Sequence, residues 1–255
     1  MAIAYIGLRG IDRMDRPGAV KKRNRILRVA RGLGIAALAL IMVPIVMVPV
    51  YWVVNPISVP MAWRYISAKP VTRVWRPIDE ISDRLKASVL MSEDGQFCQH
   101  WGVDLGAIRA EFNNWRAGRE PRGASTISMQ VARNLFLWNG RSYVRKALEI
   151  PVAGYLDLIL SKRRIMEIYL NIAEWGPSGQ FGIEAGALHA FGTDADAFSW
   201  QNAAMMAVIL PNPHLRNPVR PTRGLQRVAG IISHRAQKAQ AYIGCLYNSG
   251  TVALQ

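Results

Sequence analysis

The most continuous apolar stretch of the chain lies near its N-terminus. No charged residue occurs between Gly32 and Trp63, and a helix over residues 34–54 would be long enough to cross a hydrocarbon core of about 30 Å. The pattern therefore predicts one transmembrane helix over residues 32–54. A buried core helix and a cleaved signal peptide are the alternatives, although Pro44 and Pro49 are better tolerated in membrane helices.

The apolar positions that follow have the spacing of helices. Ile81, Leu85 and Val89 recur at helical intervals, so a helix should carry Glu93 at or near its C-terminal end. The run AAMMAVIL at residues 203–210 predicts a buried helix. Strand signals are few and no long repeat occurs. The predicted fold class is therefore mainly α.

Prolines mark the expected boundaries of these elements. Residues 55–70 contain three prolines and are predicted to form an extended linker, followed by one folded domain over residues 71–255. The stretch from Arg141 to Leu170 is mostly helical in pattern, and Pro151 should break or kink it near Ile150.

The chain is strongly basic, with 32 Lys and Arg against 17 Asp and Glu and a net charge of +15. Such an excess suits nucleic acid, anionic lipid or a phosphate-bearing substrate. Residues 1–31 form a basic segment before the apolar stretch, so the positive-inside rule predicts a single-pass protein of the cell inner membrane with a cytoplasmic N-terminus and a periplasmic domain. Since no nucleic-acid recognition motif occurs, nucleic acid is not expected as a partner.

The only cysteines are Cys98 and Cys245. They could pair in an oxidising periplasm, but their separation along the chain says nothing about their geometry. A disulfide and two isolated thiols both remain open.

Three polar motifs follow one another in the middle of the chain. They are EDGQFCQHWGVD at Glu93–Asp104, GASTISMQ at Gly123–Gln130 and RKALE at Arg145–Glu149. In this order they resemble the peptidoglycan glycosyltransferases of glycosyltransferase family 51, and the match covers about residues 76–218. Because no S-x-x-K nucleophile motif occurs, the resemblance is to the monofunctional biosynthetic peptidoglycan transglycosylases, which lack transpeptidase activity.

The resemblance implies a lysozyme-like helical fold and a defined reaction. Enzymes of this family polymerise lipid II into β-1,4-linked glycan strands, invert the anomeric carbon and release undecaprenyl pyrophosphate. The implied partners are lipid II, the growing glycan chain and the membrane, with cell-division or elongation proteins as further candidates. No organic cofactor is expected, and a requirement for a divalent cation, Mg²⁺ or Mn²⁺, is left open.

Glu93 and Glu149 are the predicted catalytic residues. A carboxylate at a cleft-facing helix end can be desolvated and act as a general base, and Glu93 also matches the family's catalytic glutamate. Glu149 matches the family's second essential acid. One helical turn after Arg145, it would orient that guanidinium or bind a divalent ion, the alternative being an ordinary solvated ion pair.

Substrate binding is predicted for polar and aromatic residues of the three motifs and the segments beside them. The arginines would stabilise the charge of a leaving pyrophosphate, Asp94 and His100 should hold the first motif in shape, and Ser125 or Thr126 can also cap a helix. The predicted substrate-binding residues are Asp94, Phe97, His100, Ser125, Thr126, Gln130, Arg133, Asn134, Arg141 and Arg145.

Two other functions are kept as alternatives. A lytic transglycosylase would also use a glutamate at a helix end, but it needs no arginines for a leaving pyrophosphate. A membrane-anchored scaffold of the cell-wall machinery with a decayed site is suggested by Met129, Arg133 and Asn202, where the family more often has glutamine, lysine and glutamate. The presence of both Glu93 and Glu149 argues against decay.

Overall fold

A computed structural model describes residues 17–119, 123–140, 142–247 and 254. This described part is mainly α-helical, which confirms the predicted fold class, and within it β-structure is limited to three isolated bridges. The helices are α1 Pro17–Val50, α2 Val59–Ile66, α3 Asp83–Glu93, α4 Leu105–Arg116, α5 Ile127–Phe136, α6 Tyr143–Ile159, α7 Lys162–Ile172, α8 Ile183–Phe191, α9 Trp200–Ile209 and α10 Arg223–Ala236. Short 3₁₀ helices lie at Ile78–Glu80, Ala239–Ala241 and Gly244–Leu246.

Helix α1 covers most of the predicted membrane segment. The chain divides into a unit Met1–Val43 and a compact unit Pro44–Gln255. Over the ranges that the structure describes, we find no helix with the length and apolar character that crossing a membrane requires. Residues 1–16 of the predicted basic segment, and some side chains of the predicted span, lie outside the described part, so the span stays a prediction.

The segment predicted as an extended linker contains a helix instead. Ser58 caps α2, because its Oγ accepts a hydrogen bond from the Met61 amide at 3.4 Å. Pro60 lies in the first turn, where a helix does not need the missing N–H. The Met61 side chain is buried in the core, and this burial stabilises a helix that the proline pattern alone did not predict.

Two groups of packed helices form the core of the compact unit. In the first, α9 contacts α3 and α10, and α3 contacts α10. Ala203–Ile209 of α9 are all buried, which confirms the buried helix predicted there. In the second group, α5 contacts α6 and α7. The candidate site lies where the C-terminal end of α3 meets α5, α6 and α7.

The ends of these helices agree with the sequence at one position and differ at another. Helix α3 ends at Glu93, as predicted. Helix α6 runs without interruption through Pro151, so the helix does not break near Ile150, and the kink predicted as the other outcome stays a prediction. Packing of α6 against α5 offsets the hydrogen bond that proline removes. The helical stretch is interrupted instead between α6 and α7, just before Ser161. The Ser161 Oγ accepts a hydrogen bond from the Arg164 amide at 3.2 Å and caps α7.

Candidate active site

Glu93 is the last residue of α3, and side chains of α3 and α5 hold its carboxylate. Its Oε2 accepts a hydrogen bond from Gln130 Nε2 of α5 at 3.0 Å. The neighbouring Ser92 hydroxyl donates to Oε1 at 3.3 Å. Gln130 is oriented in turn by Tyr169 of α7, whose hydroxyl donates to Gln130 Oε1 at 3.1 Å. The carboxylate is therefore fixed by neutral donors.

Burial raises the pKa of Glu93 above its ordinary value. The hydrogen bonds from Gln130 and Ser92 favour the charged form, as do the positive charges of Arg133 and Arg216, but the net effect is still a raised pKa. Desolvation disfavours a carboxylate because water solvates the charge better than the protein interior does. Glu93 therefore binds a proton more readily than an exposed glutamate would, as a general base must.

The motif loop, residues 94–104, follows Glu93 and is attached to α5. Asp94 Oδ2 accepts from the Ile127 amide at 2.9 Å, and Asp94 Oδ1 lies 3.0 Å from His100 Nε2. Thr126 Oγ1 accepts from the Met129 amide at 3.1 Å and donates to the Gly102 carbonyl at 2.5 Å. The structure therefore places Asp94, His100 and Thr126 where they fix the loop.

Two of the predicted substrate-binding residues need correction. Phe97 has no exposed surface, and its ring lies 4.4 Å from Lys162 Nζ. Thr126 is buried, and its hydroxyl is already used by the two hydrogen bonds to the backbone. Neither side chain can reach a substrate from these positions, so we reassign Phe97 to the core and Thr126 to the cap of α5.

The far end of the motif loop is held by Asp157, a residue that the sequence analysis missed. Asp157 Oδ2 accepts from the Gly102 amide and, at 2.6 Å, from Lys162 Nζ, while Oδ1 accepts from Ser128 Oγ at 3.2 Å. Gly102 has φ +72°, and a Cβ there would lie 2.4 Å from the Ala153 carbonyl oxygen. The loop therefore lies directly against the backbone of α6.

An open cavity of about 470 Å³ lies beside Gln130. Its wall includes Arg133 and Arg145 as cationic side chains. Glu93 is connected to this wall through its hydrogen bond to Gln130. Other polar wall residues are Asn134, Asn139, Tyr169, Glu174 and His214. The site therefore combines a proton acceptor with two guanidinium groups beside a space large enough for part of a substrate.

Arg145 and Glu149 form an ion pair within α6. Arg145 Nη1 lies 3.1 Å from Glu149 Oε1, and only 3% of the Glu149 side chain is exposed. In the described part of the chain, Arg145 Nε is buried without a hydrogen-bond partner. A buried, unused donor on a cation is suited to an anionic ligand, since leaving it unpaired costs free energy. Glu149 thus fixes a guanidinium that faces the cavity.

The structure brings together predicted residues from all three motifs: Glu93, Gln130, Arg133, Asn134, Arg145 and Glu149. Arg141 lies outside the described residues. Ser125 precedes the cap of α5. Across the described ranges, no group of three or more His, Cys, Asp and Glu side chains is arranged to hold a metal ion.

Several residues of the site were missed. Tyr169 and Lys162 were not among the predicted site residues, although their polar ends bind Gln130 and Asp157. Arg216 acts on Glu93 from a segment more than a hundred residues away, so no local spacing could have identified it. Asp157 could have been noticed as an acidic residue among apolar positions of α6.

Comparison with known proteins gives consistent matches over this region. Residues 62–237 match the family model described as Transglycosylase. Proteins named biosynthetic peptidoglycan transglycosylase are similar over most of the chain: that of Nitrobacter winogradskyi is 46% identical over 213 residues, covering 84% of this chain and 94% of that protein. That of Agrobacterium fabrum is 48% identical over 220 residues, covering 86% of this chain and 97% of that protein. That of Rhodopseudomonas palustris strain HaA2 is 47% identical over 229 residues, covering 89% of this chain and 100% of that protein.

Proposed function

Because the chain belongs to the transglycosylase family and is a peptidoglycan glycosyltransferase, we propose that it polymerises lipid II into β-1,4-linked glycan strands and releases undecaprenyl pyrophosphate. One observation carries the proposal: a half-buried glutamate with a raised pKa is hydrogen-bonded to Gln130, which lines a cavity whose wall holds two guanidinium groups. The lysozyme-like arrangement implied by the resemblance is part of the same proposal and is supported by the mainly helical fold.

In the proposed reaction, Glu93 is the general base. Its carboxylate accepts the proton of the acceptor's 4-hydroxyl group, and the oxygen attacks the anomeric carbon of the donor. The bond from that carbon to the pyrophosphate oxygen breaks, and its electron pair leaves with the pyrophosphate. A single displacement of this kind inverts the anomeric carbon.

The arginines act on the leaving group. Negative charge grows on the pyrophosphate as the glycosidic bond breaks, and preorganised cations lower the energy of that transition state. Arg145 is held by Glu149 at 3.1 Å, and Arg133 follows Gln130 by one turn on α5. Their positions in one cavity wall support the assignment of both to pyrophosphate.

A divalent cation enters the proposal only as a counter-ion of the pyrophosphate. Two carboxylates of the described residues lie near it: Glu149, which is paired with Arg145, and Glu174 of the cavity wall, which is paired with Arg64 and His214. Mg²⁺ is often bound through one carboxylate together with substrate phosphates, so Glu149 would hold the ion only when substrate is present. No step of the mechanism depends on it.

We also propose that the protein is anchored in the inner membrane with its catalytic unit in the periplasm. The basic residues before the uncharged stretch support this orientation. Large aromatic side chains are exposed in the motif loop and on α4, among them Trp101, Phe112 and Trp115, of which Trp101 is 76% exposed; aromatic side chains are enriched at membrane interfaces. A disulfide between Cys98 and Cys245 is typical of an oxidising compartment.

Full-length protein in detergent, incubated with labelled lipid II, tests the polymerase proposal. We expect wild-type protein to form a long product that muramidase digests, whereas Glu93→Gln should form none. Glu80→Gln is the matched control, because the Glu80 side chain is 56% exposed and its loss should leave polymerisation unchanged.

Each contrary result has a separate meaning. A Glu93→Gln variant that polymerises at the wild-type rate would show that Glu93 is not the base. Folded wild-type protein that makes no polymer would point to a scaffold, and wild-type protein that only shortens preformed glycan would point to a lytic enzyme.

A further inference from the structure

A disulfide joins the motif loop to the C-terminal part of the domain. Cys98 lies five residues after Glu93, and its sulfur is bonded to that of Cys245, 147 residues further along the chain. Their Cα atoms are 5.6 Å apart. The reaction proposed above uses neither sulfur, and the sequence left the pairing open. The bond therefore requires its own explanation.

Cys245 belongs to a C-terminal segment, residues 242–247, that contacts the beginning of the base-bearing helix and the loop that follows its end. The Tyr247 hydroxyl donates to Asp83 Oδ1 at 2.8 Å, and Asp83 is the first residue of α3. Through Cys98, the same segment is attached to the loop that follows Glu93, the last residue of α3. The segment therefore fixes the helix at its beginning and the loop beyond its end.

The C-terminal segment is itself anchored to α7. Arg163 Nη1 donates to the Leu246 carbonyl at 2.7 Å, and Leu246 is fully buried. Lys86 Nζ lies 5.0 Å from the centre of the Tyr247 ring. Because the segment is held on the rigid helices α3 and α7, its bond to Cys98 can restrain the motif loop.

The loop has few other restraints between its two ends. Asp94 is bound to α5 and Gly102 to Asp157. Between them, the hydrogen bonds lie within the loop itself, from Phe97 N to Asp94 O at 3.0 Å, from Gln99 N to Gln96 O at 2.8 Å, and between His100 Nε2 and Asp94 Oδ1 at 3.0 Å. Phe97 is buried next to Cys98, so the disulfide and this ring together determine where the middle of the loop lies.

We propose that Cys98 and Cys245 are positioning residues of the active site, and that polymerisation depends on their disulfide being formed. The inference rests on the proposed function of Glu93. With the bond formed, the loop holds Glu93 at its place beside Gln130. With the bond reduced, the loop moves more freely and the base is less often aligned with the acceptor hydroxyl. Small misalignments of reacting groups are costly in rate.

Thiol–disulfide exchange would switch between the two states. A dithiol reductant attacks one sulfur as the thiolate, forms a mixed disulfide and is then oxidised to its own disulfide, while Cys98 and Cys245 become two thiols. A disulfide donor reverses the exchange and is reduced. Both cysteines are only partly buried, so such reagents can reach them.

The test compares three preparations of the full-length protein in detergent: oxidised wild type, wild type reduced with a phosphine, and Cys98→Ser/Cys245→Ser. We expect kcat on lipid II to fall about tenfold in the second and third preparations, with little change in KM. Reoxidation should restore the wild type and not the double variant. Reductant should have no effect on the double variant, which controls for effects elsewhere.

Hydrogen–deuterium exchange of residues 94–104, measured well below the melting temperature, gives a readout that does not depend on activity. We expect faster exchange there when the disulfide is reduced or removed. Unchanged exchange together with unchanged kcat would overturn the inference, even if the melting temperature fell. If oxidised wild type makes no polymer, the polymerase proposal fails, but the exchange of the loop still decides whether the disulfide positions it. If the double variant does not fold, the reduced wild type supplies the comparison.

Discussion

The two carboxylates of the site, the half-buried Glu93 and the buried Glu149, lie in different surroundings. Glu93 ends α3 and is contacted by the amide of Gln130 and the hydroxyl of Ser92. Glu149 lies inside α6 and is paired with the guanidinium of Arg145 at 3.1 Å. A carboxylate that receives only neutral hydrogen bonds keeps a high affinity for a proton, whereas one that is paired with a cation acts as a fixed negative charge.

The position of each carboxylate in its helix increases this difference. The C-terminal end of a helix is its negative end, which opposes a further negative charge at Glu93. Glu149 is one turn from Arg145 on the same helix, the spacing at which opposite charges meet. Two similar side chains can thus serve as proton acceptor and as orienting counter-charge, and the surrounding residues determine which role each has.

Among substitutions that test the different roles of the two carboxylates, Glu93→Gln should have the largest effect on activity. Removal of a general base lowers kcat by about 10²–10⁴-fold, and lipid II turnover measures this loss. Because the folded pKa of Glu93 is raised, ionisation of this carboxyl opposes folding above the pKa of the unfolded chain. The neutral variant should therefore unfold at neutral pH with a free energy equal to or above that of wild type. A clear loss of stability would contradict a half-buried carboxylate with neutral partners.

Glu149→Gln, unlike Glu93→Gln, should lower the free energy of unfolding. Removing one partner of a buried ion pair leaves the other charge uncompensated and costs about 3–5 kcal/mol, so Arg145 should lower the free energy of unfolding of this variant. Denaturant unfolding measures this directly. Glu80→Gln serves as the control, since the Glu80 side chain is exposed and its partner Arg76 keeps a second carboxylate, Glu184. Equal stability of Glu149→Gln and wild type would show that the pair is solvated.

Arg145→Lys should separate charge from geometry at the pyrophosphate. Lysine keeps the positive charge but lacks the planar fork of arginine, so we expect kcat/KM for lipid II to fall about tenfold, and by about 10²–10³-fold for Arg145→Ala, as when a transition-state donor is lost. Steady-state kinetics measures both variants. If the lysine variant were as impaired as the alanine variant, the fork and not the charge would be the essential property.

The smallest effect should be a change in pH dependence. The hydrogen bond from Gln130 lowers the pKa of Glu93, so Gln130→Met should raise that pKa further. Glu93 must be ionised to accept a proton, and activity is lost as the pH falls through its pKa. The acidic limb of the kcat profile should therefore move to higher pH in this variant. Gln201→Met, at an exposed position of α9, should leave the limb in place, and a limb that moves to lower pH in Gln130→Met would contradict the assignment.

The sequence predicted those features that depend on residues close to one another along the chain. Periodicity located the end of α3 at Glu93 and the burial of residues 203–210, because helical spacing and side-chain hydrophobicity are local properties. Motif order identified the family, and the predicted residues Gln130, Arg133, Asn134 and Arg145 do line the cavity. The restraints on Glu93 were not predictable in the same way, since Gln130, Tyr169 and Arg216 meet it only after α3, α5 and α7 have packed.

The wrong predictions have a related cause. Pro151 and Pro60 suggested a break and an extended linker, because proline disfavours helix in isolation. Packing of α6 against α5 and burial of Met61 outweighed this local preference. Phe97 and Thr126 were assigned to substrate on the basis of their motifs, but their burial shows that a motif residue can act by holding the backbone in place.

Gly102 sets a distance within the catalytic site. Since its Cα lies so close to the Ala153 carbonyl that no Cβ fits between them, main chain meets main chain between the motif loop and α6. The loop follows the proton acceptor, and α6 carries Arg145. The distance between the proton acceptor Glu93 and the leaving-group cation Arg145 therefore depends on direct backbone contact. The addition of a single methyl group at residue 102 would push the motif loop and α6 apart and increase that distance.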